Sequence, residues 1–211
     1  VAEEASDAYE GARANLAKFI GAQTDEVIFT KSATESLNFL AYSFGNKNSK
    51  ICLKAGDEIV VSEMEHHANL IPWQELSART GAELVWFKVS DNGRLDLSNM
   101  DELINERTKI VALTHQSNVL GTIVPLDQVT AKAHSVGALF VLDACQSVGQ
   151  MPLDVKEIGC DILTGTGRKF LRGPRGTGFL YVRLEIIKTL EPPFVDLYAA
   201  KWVSKEEYEL R

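Results

Sequence analysis

Glycines and cations meet most densely in the stretch Gly165-Thr166-Gly167-Arg168-Lys169-Phe170-Leu171-Arg172-Gly173-Pro174-Arg175-Gly176-Thr177-Gly178, and Lys169 is read as its working residue. The glycines let backbone approach a bound group closely, and Pro174 stiffens the exit. Because the apolar run Phe179 to Val182 follows at once, the stretch is a loop held against a strand. An NTPase phosphate loop would need Gly-Lys-Ser/Thr, whereas here Gly167 is followed by Arg168 and Lys169 by Phe170. A dinucleotide fingerprint would need a third glycine and a helix after Gly176 and Gly178, and no Gly-x-Ser-x-Gly nucleophile elbow occurs. The amine of Lys169 therefore needs different chemical company.

Four other places offer it. Lys31-Ser32-Ala33-Thr34-Glu35-Ser36 puts small hydroxyl residues at a helix start, a ready anion site, although Ser32 or Thr34 also fits a plain N-cap. His66 and His67 stand in Glu63-Met64-Glu65-His66-His67-Ala68-Asn69. Adjacent histidines diverge too far on a helix to share a metal well, so a flat ring at a strand end is the better reading, with a surface histidine as the plain alternative. Asn118 lies in the polar tip Gln116 to Gly121. Asp143 follows five apolar residues and is followed in turn by Gln146; a carboxylate so placed is partly buried and needs a cationic partner, unless it only caps a helix.

The elements that must carry these residues alternate between β and α. Helical spacing runs from Ala2 to Ile20, then in the helix after Ser32, from Leu70 to Thr80, near Met100 to Ile104, and from Pro125 to Ser135. Strands are predicted at Val27 to Thr30, Glu58 to Ser62, Glu83 to Val89, Lys109 to His115, Ala138 to Leu142, Ile162 to Thr164 and Phe179 to Val182. The apolar continuity of the fourth and fifth implies burial on both faces, as in a parallel sheet. The alternation predicts a doubly wound α/β domain, a three-layer sandwich with a mostly parallel central sheet and its function at the carboxyl ends of the strands. The end, from Leu190 through Phe194, Tyr198, Trp202 and Tyr208, reads as irregular and aromatic.

Composition narrows the classes further. A chain of 211 residues, 45% hydrophobic, can bury one substantial core. A formal net charge of -7 argues against a nucleic-acid or anionic-membrane partner. Three unpaired-looking cysteines argue for a reducing compartment, and with no signal-like start and no spanning apolar run the expected setting is cytoplasmic. No metal site is expected.

A carboxylate, a phosphate cradle at a helix start, a flat ring and a lysine on a glycine-rich loop together suit pyridoxal phosphate. At these residues the chain resembles the class V aminotransferase and cysteine desulfurase group of pyridoxal-phosphate enzymes. The resemblance rests on Ser32-Ala33-Thr34-Glu35, Glu65-His66-His67-Ala68-Asn69, Thr114-His115-Gln116-Ser117-Asn118-Val119-Leu120-Gly121, Asp143-Ala144-Cys145-Gln146 and Gly167-Arg168-Lys169-Phe170-Leu171-Arg172-Gly173-Pro174, in order over nearly the whole chain. It implies that Lys169 forms the Schiff base, Asp143 pairs with the pyridinium nitrogen and His66 stacks on the ring, these three being the catalytic residues. It also implies cofactor contacts from Ala33, Thr34, Asn118, Gln146, Thr166 and Arg168, an amino-acid substrate and a homodimer.

Two departures from the family pattern stand out. Desulfurases usually carry Ser-Gly-His-Lys where this chain has Thr166-Gly167-Arg168-Lys169, so a permanent cation replaces a histidine and either offsets phosphate charge or forms an ion pair. Family members are also about twice as long. Residues 1–211 are therefore expected to be the large, cofactor-binding domain without an N-terminal segment or the C-terminal small domain. A catalytically incomplete fragment that binds cofactor or pairs with another chain is the alternative.

Overall fold

The computed structural model describes residues 1–195 and 199–210. Its central sheet has seven strands: β1 (Val27–Thr30), β2 (Glu58–Ser62), β3 (Glu83–Phe87), β4 (Thr108–Thr114), β5 (Leu139–Asp143), β6 (Ile162–Thr166) and β7 (Gly178–Val182), in the spatial order β1-β7-β6-β5-β4-β2-β3. β2 pairs in parallel with β3 and β4, β4 with β5, and β5 with β6. Only β7 runs against its neighbours, β6 and β1. The expected mostly parallel α/β sheet is the one the chain forms.

Period-two alternation divides the core between the two faces of this sheet. Ile59, Val61, Ile110, Ala112, Val141, Ile162, Leu180 and Val182 pack on one face, where α2 (Ala33–Phe44) and α3 (Ile71–Thr80) supply Leu37, Leu40, Phe44, Trp73 and Leu76. Val60, Val111, Leu113, Phe140, Leu142, Leu163, Phe179 and Tyr181 pack on the other. That face is covered from α1 (Ala2–Phe19) by Ala17, from α5 (Leu126–Ser135) by Val129 and Ala133, and from α6 (Val155–Ile158) by Val155, with Met100 of α4 (Met100–Leu103) at its margin. A short α7 (Leu184–Ile187) follows β7. Helix, sheet and helix thus form the three layers.

α1 has the helical boundaries its spacing predicts, yet Ala17 is its one buried residue. Ala17 and the partly buried Leu16 attach it to the core, and Tyr9 meets Phe29 edge-on at 5.0 Å. The end of the chain is more regular than expected. β8 (Ala200–Trp202) and β9 (Tyr208–Leu210) form an antiparallel hairpin, with Trp202 opposite Tyr208 and Val203 N–H donating to the Glu207 carbonyl at 3.1 Å. Its strands are three residues long and exposed along most of their length, so they leave no burial pattern in the sequence. Tyr198 lies outside the described residues. Among the described residues no helix is long and apolar enough to cross a membrane.

The antiparallel edge is closed by one glycine. Thr30 of β1 and Thr166 of β6 both pair with Gly178, and a Cβ there would lie 2.7 Å from Ser32 Cα. Backbone cannot yield as a flexible side chain does, so this position admits glycine alone. Gly178→Ala is expected to destabilise the domain by about 2 kcal/mol or more through overpacking. Gly11→Ala, at a site with nothing within 4 Å of the added carbon, should be neutral or stabilise by up to about 1 kcal/mol. Urea denaturation of the two variants checks both.

Candidate active site

With β1, β2, β4, β5 and β6 pointing the same way, their carboxyl ends form one rim. Along β5 the alternation puts Asp143 on the face covered by α2 and α3, and the same counting puts Thr114 of β4 and Thr164 and Thr166 of β6 there. Thr114 and Thr164 flank Asp143 in register. The N-terminus of α2 opens onto this same face, because Gly178 is pressed against Ser32. The sheet's pleat therefore brings together residues far apart in sequence.

Asp143 is 4% exposed. Its Oδ1 accepts from Cys145 N–H at 2.9 Å, so the helix-cap-like bond foreseen as an alternative is present. The ion pairs among the described residues all lie elsewhere, so none of them bonds this carboxylate to a cationic side chain. A buried carboxylate with one backbone donor is suited to a cationic guest. Burial, the Asp143 charge and the hydrogen bond to Asp143 push the Cys145 thiol well above its ordinary range, against the pull of Lys169 and Arg168. That balance keeps Cys145 a neutral packing group.

Ser32 caps α2, accepting from Glu35 N–H at 3.2 Å, while Glu35 Oε2 accepts from Lys31 N–H at 2.6 Å. The hydroxyl of Ser32 is thus committed to the helix. Ala33 is buried at the first turn and Thr34 is exposed beside it, where its hydroxyl can meet a phosphate together with the helix N-terminus. Thr166 is 4% exposed and donates to the Thr177 carbonyl at 3.4 Å. Gln146, half-buried, lies in the turn after Asp143.

The Lys169 loop is knotted on itself. Gly167 N–H donates to the Thr177 carbonyl at 2.8 Å, Gly173 N–H to the Gly167 carbonyl at 2.7 Å, and Arg172 N–H to the Lys169 carbonyl at 2.9 Å. Arg172 has φ 56°, the only non-glycine positive φ among the described residues, in a region that disfavours side chains. From beneath, Gly149 (φ 85°) supports the loop, since a Cβ there would lie 2.9 Å from the Phe170 carbonyl carbon. Lys169 is half-buried and Arg168 exposed; no ion pair among the described residues uses Arg168, so of the two roles foreseen for it the structure does not supply the ion pair.

His66 is exposed at the start of the turn His67–Asn69. Its Nδ1 accepts from Ala68 N–H at 3.0 Å, which leaves the proton of the neutral ring on Nε2. His66 lines one cleft with Asn118, Glu63, Met64 and Val89. The His67 ring is tilted 50° to it with centroids 6.2 Å apart, and among the described residues no group of three metal-ligating side chains assembles.

Three contributors carried no role in the sequence reading. His115, buried and shifted downward by that burial, joins its Nδ1 to Ser147 Oγ at 2.9 Å, tying the loop after β4 to the turn after β5. Gly149 is the second. The third, Glu65, is 9% exposed, and burial, helped by the Asp143 charge, pushes its carboxyl up to about 8 against hydrogen bonds from Ser62, Thr114 and Asn69. A buried carboxyl could have been suspected from Ser62 and Asn69, three residues before and four after it.

A buried carboxylate, an open helix N-terminus, a flat ring and a lysine on a braced loop, all carried by segments that follow the carboxyl ends of parallel strands, define a pyridoxal-phosphate type of domain, and this donor set fits that cofactor. Comparison with known proteins agrees. The aminotransferase class-V family model matches residues 1–209. A probable cysteine desulfurase of Mycobacterium leprae is 50% identical over 194 residues, covering 92% of this chain and 46% of that protein. The apo cysteine desulfurase of Thermococcus onnurineus superposes with a TM-score of 0.91 at 40% identity over 99% of this chain and 51% of its own. The desulfurase CsdA of Escherichia coli gives 0.91 at 32% identity, over 100% and 52%. The chain belongs to the class V aminotransferase family, whose members depend on pyridoxal phosphate, and it spans about half the length of the curated relatives it matches.

Glu65 makes stability depend on pH. Because folding raises its pKa from 4.5 to about 8, the folded state holds a proton that the unfolded chain releases between those values, so stability falls as pH rises through that window. Comparing denaturation midpoints of the wild type and Glu65→Gln from pH 5 to pH 8.5 should show the wild type losing stability relative to the variant. A constant difference across the window would contradict this.

Proposed function

We propose that this chain is the cofactor-holding part of a pyridoxal-phosphate enzyme of the cysteine desulfurase type, acting on the α-amino group of cysteine or a related amino acid. The carrying observation is Asp143: a buried carboxylate outside every ion pair among the described residues, at the carboxyl end of β5 and on the sheet face where the α2 N-terminus opens. The 50% identity to a probable cysteine desulfurase supports the substrate class. When bound, pyridoxal phosphate supplies an electrophilic aldehyde carbon and an electron-withdrawing ring.

The chain's own residues do the rest. Lys169 Nζ would be the amine that holds the cofactor's aldehyde carbon and, when free, would take and return the proton at the substrate α-carbon. Asp143 would pair with the ring nitrogen and hold a proton there. His66 would cover the ring face from the cleft it lines with Asn118. Thr34, Ala33 N–H and Thr166 hold the phosphate with the α2 dipole, Arg168 adds a permanent positive charge, and Asn118 and Gln146 orient the ring. In the same reading two copies pair in a cytoplasmic setting. The exposed Phe194, Trp202 and Tyr208 support the pairing, and the three free cysteines support the reducing compartment.

A second reading has its own observation. The chain spans 46% of its Mycobacterium leprae relative, and on this reading residues 1–211 by themselves bind cofactor without turnover. One preparation separates the two readings. Incubation with pyridoxal phosphate should give a visible absorbance band, and borohydride followed by peptide mapping should label Lys169. Absence of the label would sink the cofactor reading, whereas a label without sulfide release from cysteine would favour the non-turnover reading. Asp143→Ala should lower any turnover by 10²-fold or more, on the order of 3 kcal/mol, while shifting the urea midpoint little.

A further inference from the structure

Glu65 has no task in the chemistry above, yet it is the most heavily bonded side chain at the rim. Its Oε1 accepts from Ser62 Oγ at 2.6 Å and from Thr114 N–H at 3.0 Å, and its Oε2 accepts from Asn69 Nδ2 at 2.6 Å. Asn69, fully buried, is itself oriented: its Oδ1 accepts from Trp73 Nε1 at 3.0 Å, and an indole N–H can only donate. The amide NH₂ must then face Glu65. One carboxyl therefore joins the end of β2, the end of β4 and, through Asn69 and Trp73, the first turn of α3.

Two of these attachments bear directly on the site. Thr114, whose N–H Glu65 takes, is the register partner of Asp143 on the adjacent strand. His66 is the next residue along the chain, and its ring is already immobilised by Ala68 N–H. The link from the ring to the carboxylate thus runs His66, Glu65, Thr114, Asp143, through one peptide bond, one hydrogen bond and one strand pairing. We propose that Glu65 is a positioning residue that sets the height of the His66 ring above the cofactor face relative to Asp143, by clamping the His66 turn to the β4–β5 strand pair.

The clamp suits its place electrostatically. Asp143 is the charged group that Glu65 feels from β5, and burial together with that charge favours the neutral carboxyl at neutral pH. A neutral clamp holds the turn without placing a second negative charge beside Asp143.

The inference rests on the cofactor reading, and its test keeps the two apart. Wild type, Glu65→Gln and Glu65→Ala are loaded with pyridoxal phosphate and compared by cofactor titration, by the visible circular dichroism of the bound cofactor, and by thermal midpoint. Glu65→Gln keeps size and neutrality but turns an NH₂ toward one of three donors. It should hold the visible absorbance band while its visible dichroism falls by about half or more, and Glu65→Ala should also weaken cofactor affinity by about tenfold, the worth of a buried hydrogen bond. Unchanged dichroism and affinity in Glu65→Gln, with or without a lowered midpoint, would reduce Glu65 to a scaffold residue and overturn the proposal. A wild type without a visible band would overturn the cofactor reading and this inference with it, an outcome distinct from a normal band that the variants leave untouched.

Discussion

An unneutralised charge organises the site. Asp143 sits at the end of a strand whose other residues are apolar on both faces, with one backbone N–H bonded to its carboxylate. Moving an isolated carboxylate out of water costs many kcal/mol in a low-dielectric interior, so an arrangement of this kind persists only where a cation completes it. The neighbouring features make sense as accommodations to that condition. Cys145 stays protonated, His115 is driven toward its neutral form, and Glu65 keeps its proton; each shift limits further charge at the rim.

The sheet delivers Asp143, Thr114 and Thr164 to one face through parity. Since side chains alternate along a strand, a one-residue slip of β5 would turn Asp143 toward the layer of α5 and α6 and bring Leu142 to the site. The register is held by continuous apolar packing on both faces, so the geometry of the polar tip is an outcome of the hydrophobic core. The antiparallel β7 adds a second fixed point, because Gly178 lets the start of α2 approach the sheet more closely than any side chain would permit.

Much of this was legible in the sequence. Apolar runs such as Ala138 to Leu142 announced buried parallel strands, and the polar residue ending each run marked a strand end. Asp143 in particular was recognisable because a charge directly after five apolar residues has few structural explanations. What stayed hidden depends on partners distant in the chain. Glu65 looked like part of a polar turn because its burial comes from β4 and α3, and Gly149 looked like an ordinary turn glycine because its constraint is the backbone at Phe170. The β8–β9 hairpin was unreadable for another reason: strands of three residues, mostly exposed, carry no alternation for periodicity to detect. Ser32 and Thr34 could be told apart only by seeing which hydroxyl the helix had already used.

The Lys169 loop has a further property that follows from its double closure. The bonds from Gly167 to Thr177 and from Gly173 to Gly167 make an inner ring containing Lys169, while Pro174, Arg175 and Gly176 form an exposed tip outside it. Thr177 Oγ1 donates to the Pro174 carbonyl at 2.7 Å and closes the tip separately. Pro174 and Arg175 can therefore vary in side chain without transmitting the change to the lysine, while Gly176, at φ 80°, is the tip position that a side chain would strain. For a protein engineer the tip is an attachment point a few residues from the reactive amine yet mechanically insulated from it.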